Sequence, residues 1–315
     1  MRLKSLCIGN VQTENNVFLA PMAGYTDSPF RSLAIKLGAG FTFTELVSAK
    51  GLCYGGEGSK ELLKSENYNL TGAQLFGADA FFLRSAIESE TLKDFSVIDI
   101  NMGCPVPKVF KNGEGSALLT DIKKAENIIK ECVKSGKNIT VKIRTGQKTG
   151  DDVASDFAIM AENAGAKLIT VHGRVREAYY SGEPDYGAIY KAKKSVGIPV
   201  IANGGIFSEE DADKMIDKTG ADGVMIARGA IKNPFFISKL CSKTPPDDIN
   251  TLKKFMTEQI KKMLALYGEK RTTAEFRKFL PYYIRNDKNS KELRIMLMNG
   301  QSTDEVLSII NDKFI

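Results

Sequence analysis

Ile139-Thr140-Val141-Lys142-Ile143-Arg144 ends on two cations set two positions apart, with apolar residues between them. In an extended strand, residues two apart share a face. Lys142 and Arg144 therefore point one way, and Val141 and Ile143 the other. The apolar face suits packing against helices, and the cationic face suits the mouth of a barrel. A surface lysine on a segment that is not a strand is the competing reading for Lys142, and its apolar neighbours weigh against it.

Seven further β-rich runs lie on either side of this one, at residues 17–20, 40–44, 70–76, 97–101, 168–172, 199–203 and 223–227. Helical patterns separate them, among them 123–134, 151–164 and 209–219. Eight strand–helix units over roughly 230 residues are the signature of a (β/α)8 TIM barrel. A doubly wound sheet fits less well, because no G-x-G-x-x-G follows the first strand. The barrel is expected over residues 1–240, a linker over 241–250, where Ser242-Lys243-Thr244-Pro245-Pro246-Asp247-Asp248 breaks the pattern, and a small C-terminal all-helical domain over 251–315.

The chain has 315 residues and is 43% apolar, enough for a sizeable core. It has no apolar run long enough for a membrane span and no signal-peptide pattern at the start, so a cytoplasmic protein is expected. The cysteines are Cys7, Cys53, Cys104, Cys132 and Cys241, with no C-x-x-C pair and a single histidine. A zinc site or a disulfide framework is not expected, and no metal is. Cys132 lies among Ile128, Ile129 and Val133 and reads as a core residue. The net charge is +6, and residues 251–315 carry 13 Lys and Arg against 8 Asp and Glu. A basic tail suggests a polyanionic partner, although a solvated helical surface gives the same count.

Polar residues gather at the C-terminal ends of the strands, the face where barrels keep their sites: Asn101, Lys142, Arg144, His172 and Asn203. Asn203-Gly204-Gly205 follows strand seven, and Ala227-Arg228-Gly229-Ala230 follows strand eight. Glycines let backbone N–H groups approach a phosphate, and Arg228 adds a charge-assisted contact. Tight turns alone are the other reading of these glycines. On the opposite rim, Pro21-Met22-Ala23 forms a compact turn that suits a flat ring, with Gln74 as an amide partner and Lys142 as a positive charge beside it. His172 is a candidate donor to the same ring or its phosphate, or else a satisfied core histidine. Cys104 sits in Asn101-Met102-Gly103-Cys104-Pro105, a turn past a strand end. A thiol of ordinary pKa, about 8.5, is mostly protonated at neutral pH. With no second histidine to serve as a base, a proton donor suits it better than a nucleophile.

These motifs, in this order, resemble the tRNA-dihydrouridine synthases, most closely the bacterial B-type subfamily. The shared stretches are Ala20-Pro21-Met22-Ala23-Gly24 with Asp27, Gln74-Leu75-Phe76-Gly77, Asn101-Met102-Gly103-Cys104-Pro105 with Lys108, and Asn112-Gly113-Glu114-Gly115-Ser116-Ala117-Leu118-Leu119. Val141-Lys142-Ile143-Arg144, Val171-His172-Gly173-Arg174, Asn203-Gly204-Gly205-Ile206 and Arg228-Gly229-Ala230 complete them. The resemblance covers the whole barrel and, more loosely, the tail. It implies FMN as cofactor, NADPH or NADH as reductant and a uridine of tRNA as substrate. It implies that Pro21, Met22 and Ala23 line the flavin, that Gln74, Lys142 and His172 contact its ring or ribityl chain, and that Asn203, Gly204, Gly205, Ala227 and Arg228 hold its phosphate. Cys104 becomes the proton donor, and Asn101, Arg144 and Arg174 become candidates for holding the uracil or nearby phosphates. The tail arginines and lysines, among them Arg271, Arg277, Lys278, Arg285 and Arg294, become the RNA clamp. A monomer is expected.

Three positions depart from the family pattern. Gly205 stands where Asn-Gly-Asp is usual, Ala227 where Gly-Arg is, and Phe279 where the tail often has Arg-Lys-His. Phe279 either stacks on a base or packs. Two other functions remain in view: an FMN barrel oxidoreductase acting on a small pyrimidine, which turnover without RNA would reveal, and a non-catalytic RNA-binding barrel, which failure to take up flavin would reveal.

Overall fold

The computed structural model describes residues 1–243, 248–284 and 290–313. Linker residues 244–247 and Arg285 lie outside the described residues. The chain divides into two compact units, residues 1–227 and 228–315. The sequence placed the end of the barrel at residue 240, whereas the helices Arg228–Lys232 and Phe236–Leu240 group with the second unit.

The first unit opens with a small hairpin, β1 (Cys7–Ile8) and β2 (Val11–Gln12), paired antiparallel. The strands that follow are β3 (Val17–Leu19), β4 (Phe41–Phe43), β5 (Val47–Ser48), β6 (Thr71–Phe76), β7 (Val97–Met102), β8 (Asn138–Arg144), β9 (Leu168–His172), β10 (Val200–Asn203) and β11 (Gly223–Ile226). Eight of them close a ring, β3–β4–β6–β7–β8–β9–β10–β11 and back to β3, with every pairing parallel. Each expected strand lies within one residue of its observed ends. The short β5 adds itself to the end of β6 through Leu75 and Phe76.

Parallel neighbours need crossover connections, and helices supply them. The helix Ile122–Val133 starts at Asp121, whose side chain accepts from Lys124 N, and buries Ala125, Ile128, Ile129 and Cys132 on one face. The helix Glu209–Thr219 has a reciprocal cap between Ser208 and Asp211 and stops at Gly220 in the left-handed region.

The barrel interior changes character along its axis. Towards the strand starts, Phe18, Phe41, Val97, Leu168, Ile201 and Met225 form an apolar cluster with Leu6 and Ile8. The hairpin thereby stoppers the N-terminal end. Each such large side chain contributes roughly 1.5–3 kcal/mol on burial. The polar residues lie at the other end.

The second unit is helical: Ile249–Tyr267, Glu269–Phe276, Leu280–Tyr283, Ser290–Asn299 and Thr303–Lys313 follow the two short helices. Its core holds Phe255, Phe276, Phe279 and Tyr283. Phe279 is fully buried, its ring stacked on Tyr283 with centroids 5.6 Å apart. Tyr283 Oη donates to Gln259 Oε1 at 2.9 Å. Of the two readings of Phe279, packing is the one realised. No described helix is long and apolar enough to cross a membrane.

Candidate active site

The parallel register sets the polar strand ends side by side. Gln74 pairs with Asp99, Asn101 with Lys142, Arg144 with His172, and His172 with Asn203. Lys142 reaches past its neighbouring strand: its Nζ donates to Asn203 Oδ1 on β10 at 3.1 Å. The ammonium therefore lies inside the barrel mouth. Asn203 is held for this role, because its Nδ2 donates to Met225 O at 2.7 Å. Burial, together with the like charge of Arg144, lowers the Lys142 pKa to about 8, against the opposing pull of Asp99 and Cys104.

The Cys104 loop is held from several directions. Asn101 Oδ1 accepts from the N–H of Gly103 at 3.1 Å and of Cys104 at 2.8 Å. Cys104 O accepts from Ser116 N at 3.1 Å and Ser116 Oγ at 2.8 Å. Gly115, in the left-handed region, packs so closely that a Cβ there would stand 2.9 Å from Cys104 Cβ. These contacts leave Cys104 half-buried, less open than its glycine- and proline-flanked turn implied. Burial pushes its pKa up, while the Val106 backbone, Arg144 and Lys142 pull the other way. The thiol stays protonated at neutral pH.

The two expected substrate arginines have different surroundings. Arg144 is 2% exposed; its Nε donates to Gly103 O at 2.8 Å, and its Nη1 donates to Val175 O at 3.0 Å and Tyr179 O at 2.8 Å. It ties the loop after β7 to the loop after β9. Its guanidinium also lies 5.7 Å from the Tyr180 ring centre. Arg174 instead lies beside the turn after β10. Its Nη1 is 3.3 Å from His172 Nε2, and its Nη2 donates to Gly182 O at 2.6 Å. A Cβ on Gly204, at φ 120°, would stand 2.9 Å from His172 Cδ2 and 3.1 Å from Arg174 Nη1. Glycine is required at Gly204 on both counts.

Gln74, Asn101, Cys104, Lys142, His172, Arg174, Asn203 and Gly204 are thus linked into one polar rim. Pro21, Met22 and Ala23 form a separate turn after β3, closed by hydrogen bonds from Tyr25 N and Thr26 N to Met22 O. Ala227 follows β11, and Arg228 opens the short helix of the second unit.

Sequence reasoning missed Asp99 and Thr140. Asp99 is 1% exposed and accepts from Gln74 Nε2 at 2.7 Å and Thr140 Oγ1 at 2.6 Å. Burial raises its pKa to about 6, against those hydrogen bonds and Lys142. The signal was present: Asp99 alternates with Asn101, and Thr140 with Lys142, by the same two-residue period that singled out Arg144.

Residues 18–315 match the family described as dihydrouridine synthase (Dus). The chain is 35% identical to tRNA-dihydrouridine synthase B of Vibrio parahaemolyticus, over 91% of this chain and 92% of that protein. It is 33% identical to tRNA-dihydrouridine synthase B of Proteus vulgaris, over 98% of each. A solved complex of 2-naphthoyl-CoA reductase shares the barrel fold at a TM-score of 0.61 and 12% identity, over 78% of this chain and 52% of that one. The end-to-end match and the likeness to these relatives agree with the ordered rim motifs: the chain belongs to the dihydrouridine synthase family.

Proposed function

We propose that the protein reduces the 5,6 double bond of a uridine in tRNA, with FMN as cofactor and NADPH or NADH as reductant, and that Cys104 is the proton donor. The observation that carries this reading is geometric: Asn101 and Ser116 hold the half-buried Cys104 on the barrel rim, and Lys142 Nζ reaches into the same mouth to Asn203. The setting is the cytoplasm, where tRNA is available.

The rim chemistry fits a flavin mononucleotide. A phosphate suits the Gly204 turn, which lies against the His172 ring and the Arg174 guanidinium and tolerates no side chain of its own. Asn203, Gly204, Gly205, Ala227 and Arg228 would hold that phosphate, and the position of Arg174 adds it to the group. Pro21, Met22 and Ala23 would line the ring, with Gln74, Lys142 and His172 at its polar edge and ribityl chain. When bound and reduced, the flavin supplies the hydride that side chains cannot.

The uracil must leave its stack to reach the rim, at a cost of a few kcal/mol. Phosphate contacts along the tRNA offset this. As carbon 6 gains a hydride, negative charge builds towards carbon 5 and its conjugated carbonyl. Cys104 Sγ–H gives its proton to carbon 5, which completes addition across the double bond. Lys142 and Arg144 stabilise the thiolate left behind, and solvent reprotonates it. Asn101 and Arg144 serve this step by holding the loop, since their described hydrogen bonds go to Gly103, Cys104, Val175 and Tyr179, and in Asn101 also to Gln74.

The test is dihydrouridine formation in tRNA, followed by nucleoside mass spectrometry with purified protein. Cys104→Ala should bind flavin and allow its reduction by NADPH, yet slow tRNA reduction by about 10²–10⁴-fold. Normal tRNA reduction by that variant would end the donor assignment.

A further inference from the structure

Thr140, Asp99, Gln74 and Asn101 form one buried file of hydrogen bonds that ends at Cys104. Thr140 Oγ1 donates to Asp99 Oδ1 at 2.6 Å, and Gln74 Nε2 donates to Asp99 Oδ2 at 2.7 Å. Asn101 Nδ2 donates to Gln74 Oε1 at 3.0 Å. Asn101 Oδ1 then accepts from the N–H groups of Gly103 and Cys104. All four side chains are buried.

A primary amide can turn by 180° and exchange its donor and acceptor ends. The two ends of this file remove that freedom. Backbone N–H groups can only donate, so Asn101 must present its oxygen to the Cys104 loop and its Nδ2 to Gln74. An ionised carboxylate can only accept, so Gln74 must present its Nε2 to Asp99 and its oxygen to Asn101. Both ends dictate the same polarity, and a fully satisfied network of this kind has one low-energy arrangement. Reversing any link would set two donors or two acceptors against each other in a dry interior.

We infer that Asp99 is a positioning residue for the Cys104 thiol, acting through Gln74 and Asn101 by setting the orientation of both amides. The inference rests on the assignment of Cys104 as proton donor. Asp99 touches neither the thiol nor a substrate. Its carboxylate also faces Lys142, whose charge it offsets, so the same group steadies the loop and the neighbouring cation.

Two replacements separate acceptor geometry from simple filling of space. Asp99→Asn keeps an oxygen for Gln74 and turns its NH2 to Thr140, whose hydroxyl then accepts. The polarity of the file survives. Asp99→Leu removes the acceptor, so Gln74 loses its reason to face that way and Asn101 loses its partner.

The readouts are hydrogen–deuterium exchange of a peptide covering residues 101–106 and the rate of Cys104 alkylation by iodoacetamide, followed by peptide mass spectrometry. Neither needs a substrate. Asp99→Leu should raise loop exchange and Cys104 alkylation by about tenfold, the scale of one lost buried hydrogen bond. Asp99→Asn should stay within about twofold of the wild type on the same scale. Reduction of tRNA should fall in Asp99→Leu through kcat more than KM and return in Asp99→Asn. If Asp99→Leu does not fold, Gln74→Met cuts the file one link later at similar volume, and must raise loop exchange in the same way. Unchanged loop exchange in a folded Asp99→Leu or Gln74→Met protein overturns the inference. So does an equal rise in Asp99→Asn, which would make charge rather than acceptor geometry the cause. Normal tRNA reduction by Cys104→Ala would instead remove the donor assignment and leave the loop result standing, so the two failures are read apart.

Discussion

The barrel rim and the helical unit both carry clustered cations and aromatics, and they use them in opposite ways. On the rim, strand geometry turns Lys142 and Arg144 inward and the loop after β9 folds Arg174 back, so that these cations meet backbone carbonyls, Asn203 and His172. In the helical unit, the cations that the sequence grouped as a clamp are mostly occupied locally. Arg277 Nη2 donates to Gly300 O at 2.8 Å, Arg294 Nε to Ser290 O at 2.9 Å, and Lys278 pairs with Glu275. Arg271 is exposed over the Tyr267 ring. A count of charges cannot tell these cases apart, because each depends on which face of its element a residue occupies. In a strand that face follows from parity. In a short helix between breaks it depends on where the helix starts.

The largest effect expected from breaking this contrast is at Phe279. Its ring is enclosed by Phe276 and Tyr283, so Phe279→Ala should cost about 3–5 kcal/mol of stability. Denaturant unfolding measures this. A variant that kept its stability but lost tRNA affinity would make Phe279 an RNA contact rather than a core residue.

Next comes Lys142, the cation that the rim encloses. Lys142→Gln should slow tRNA reduction by about 10²-fold, the usual scale for one preorganised charged donor. Its pKa of about 8 makes the effect pH-dependent. The ammonium is present below pH 8 and is lost as pH rises through it, so wild-type tRNA reduction should fall on the alkaline side near pH 8. The Cys104 thiol, pushed up by burial, stays protonated through the start of that limb. Stability moves the other way. The unfolded lysine titrates near 10.4, so between about pH 8 and 10.4 the unfolded chain binds the extra proton. The contribution of Lys142 to stability therefore rises with pH across that window. Comparing wild type with Lys142→Gln in both assays checks the pair of signs. An alkaline limb that persists in the variant would assign it to another group.

The ring of strands was legible because β-rich runs and helical patterns recur in a regular order, and the rim was legible because parity alone put Lys142 and Arg144 on one face. The same parity held Asp99 and Thr140, but a buried carboxylate inside an apolar run reads as a solvated break until its partners are seen. Those partners come from three strands, and register supplies them. The hairpin of β1 and β2 was missed because two-residue strands carry no periodicity. Arg144 and Arg174 look equivalent in sequence, one two residues after Lys142 and the other two after His172. They separate only when the loops fold back, one to Gly103 and one to Gly182. Phe279 was ambiguous because an aromatic beside two cations suits either a base or a core, and the stacking on Tyr283 lies four residues further on.

The smallest effect concerns where the helical unit presents exposed lysines. Lys253, Lys254 and Lys261 line an open groove of about 600 Å³ between the helices Ile249–Tyr267 and Thr303–Lys313, with Asn250, Thr257, Asn311 and a single carboxylate, Glu258, beside them. Lys253 Nζ is committed to Asn311 O at 2.8 Å, which leaves Lys254 and Lys261, both exposed and two helical turns apart, as the pair facing solvent. Two turns of helix span about 11 Å, within reach of phosphates along one RNA strand. The double variant Lys254→Gln, Lys261→Gln should weaken tRNA binding several-fold at moderate salt and reduce the slope of log affinity against log salt by about 1–2. Lys278→Gln, which removes a cation already paired with Glu275, should change that slope by much less. Equal slopes for the two variants would mean that local pairing does not silence a lysine in this unit, and the contrast with the rim would rest on burial alone.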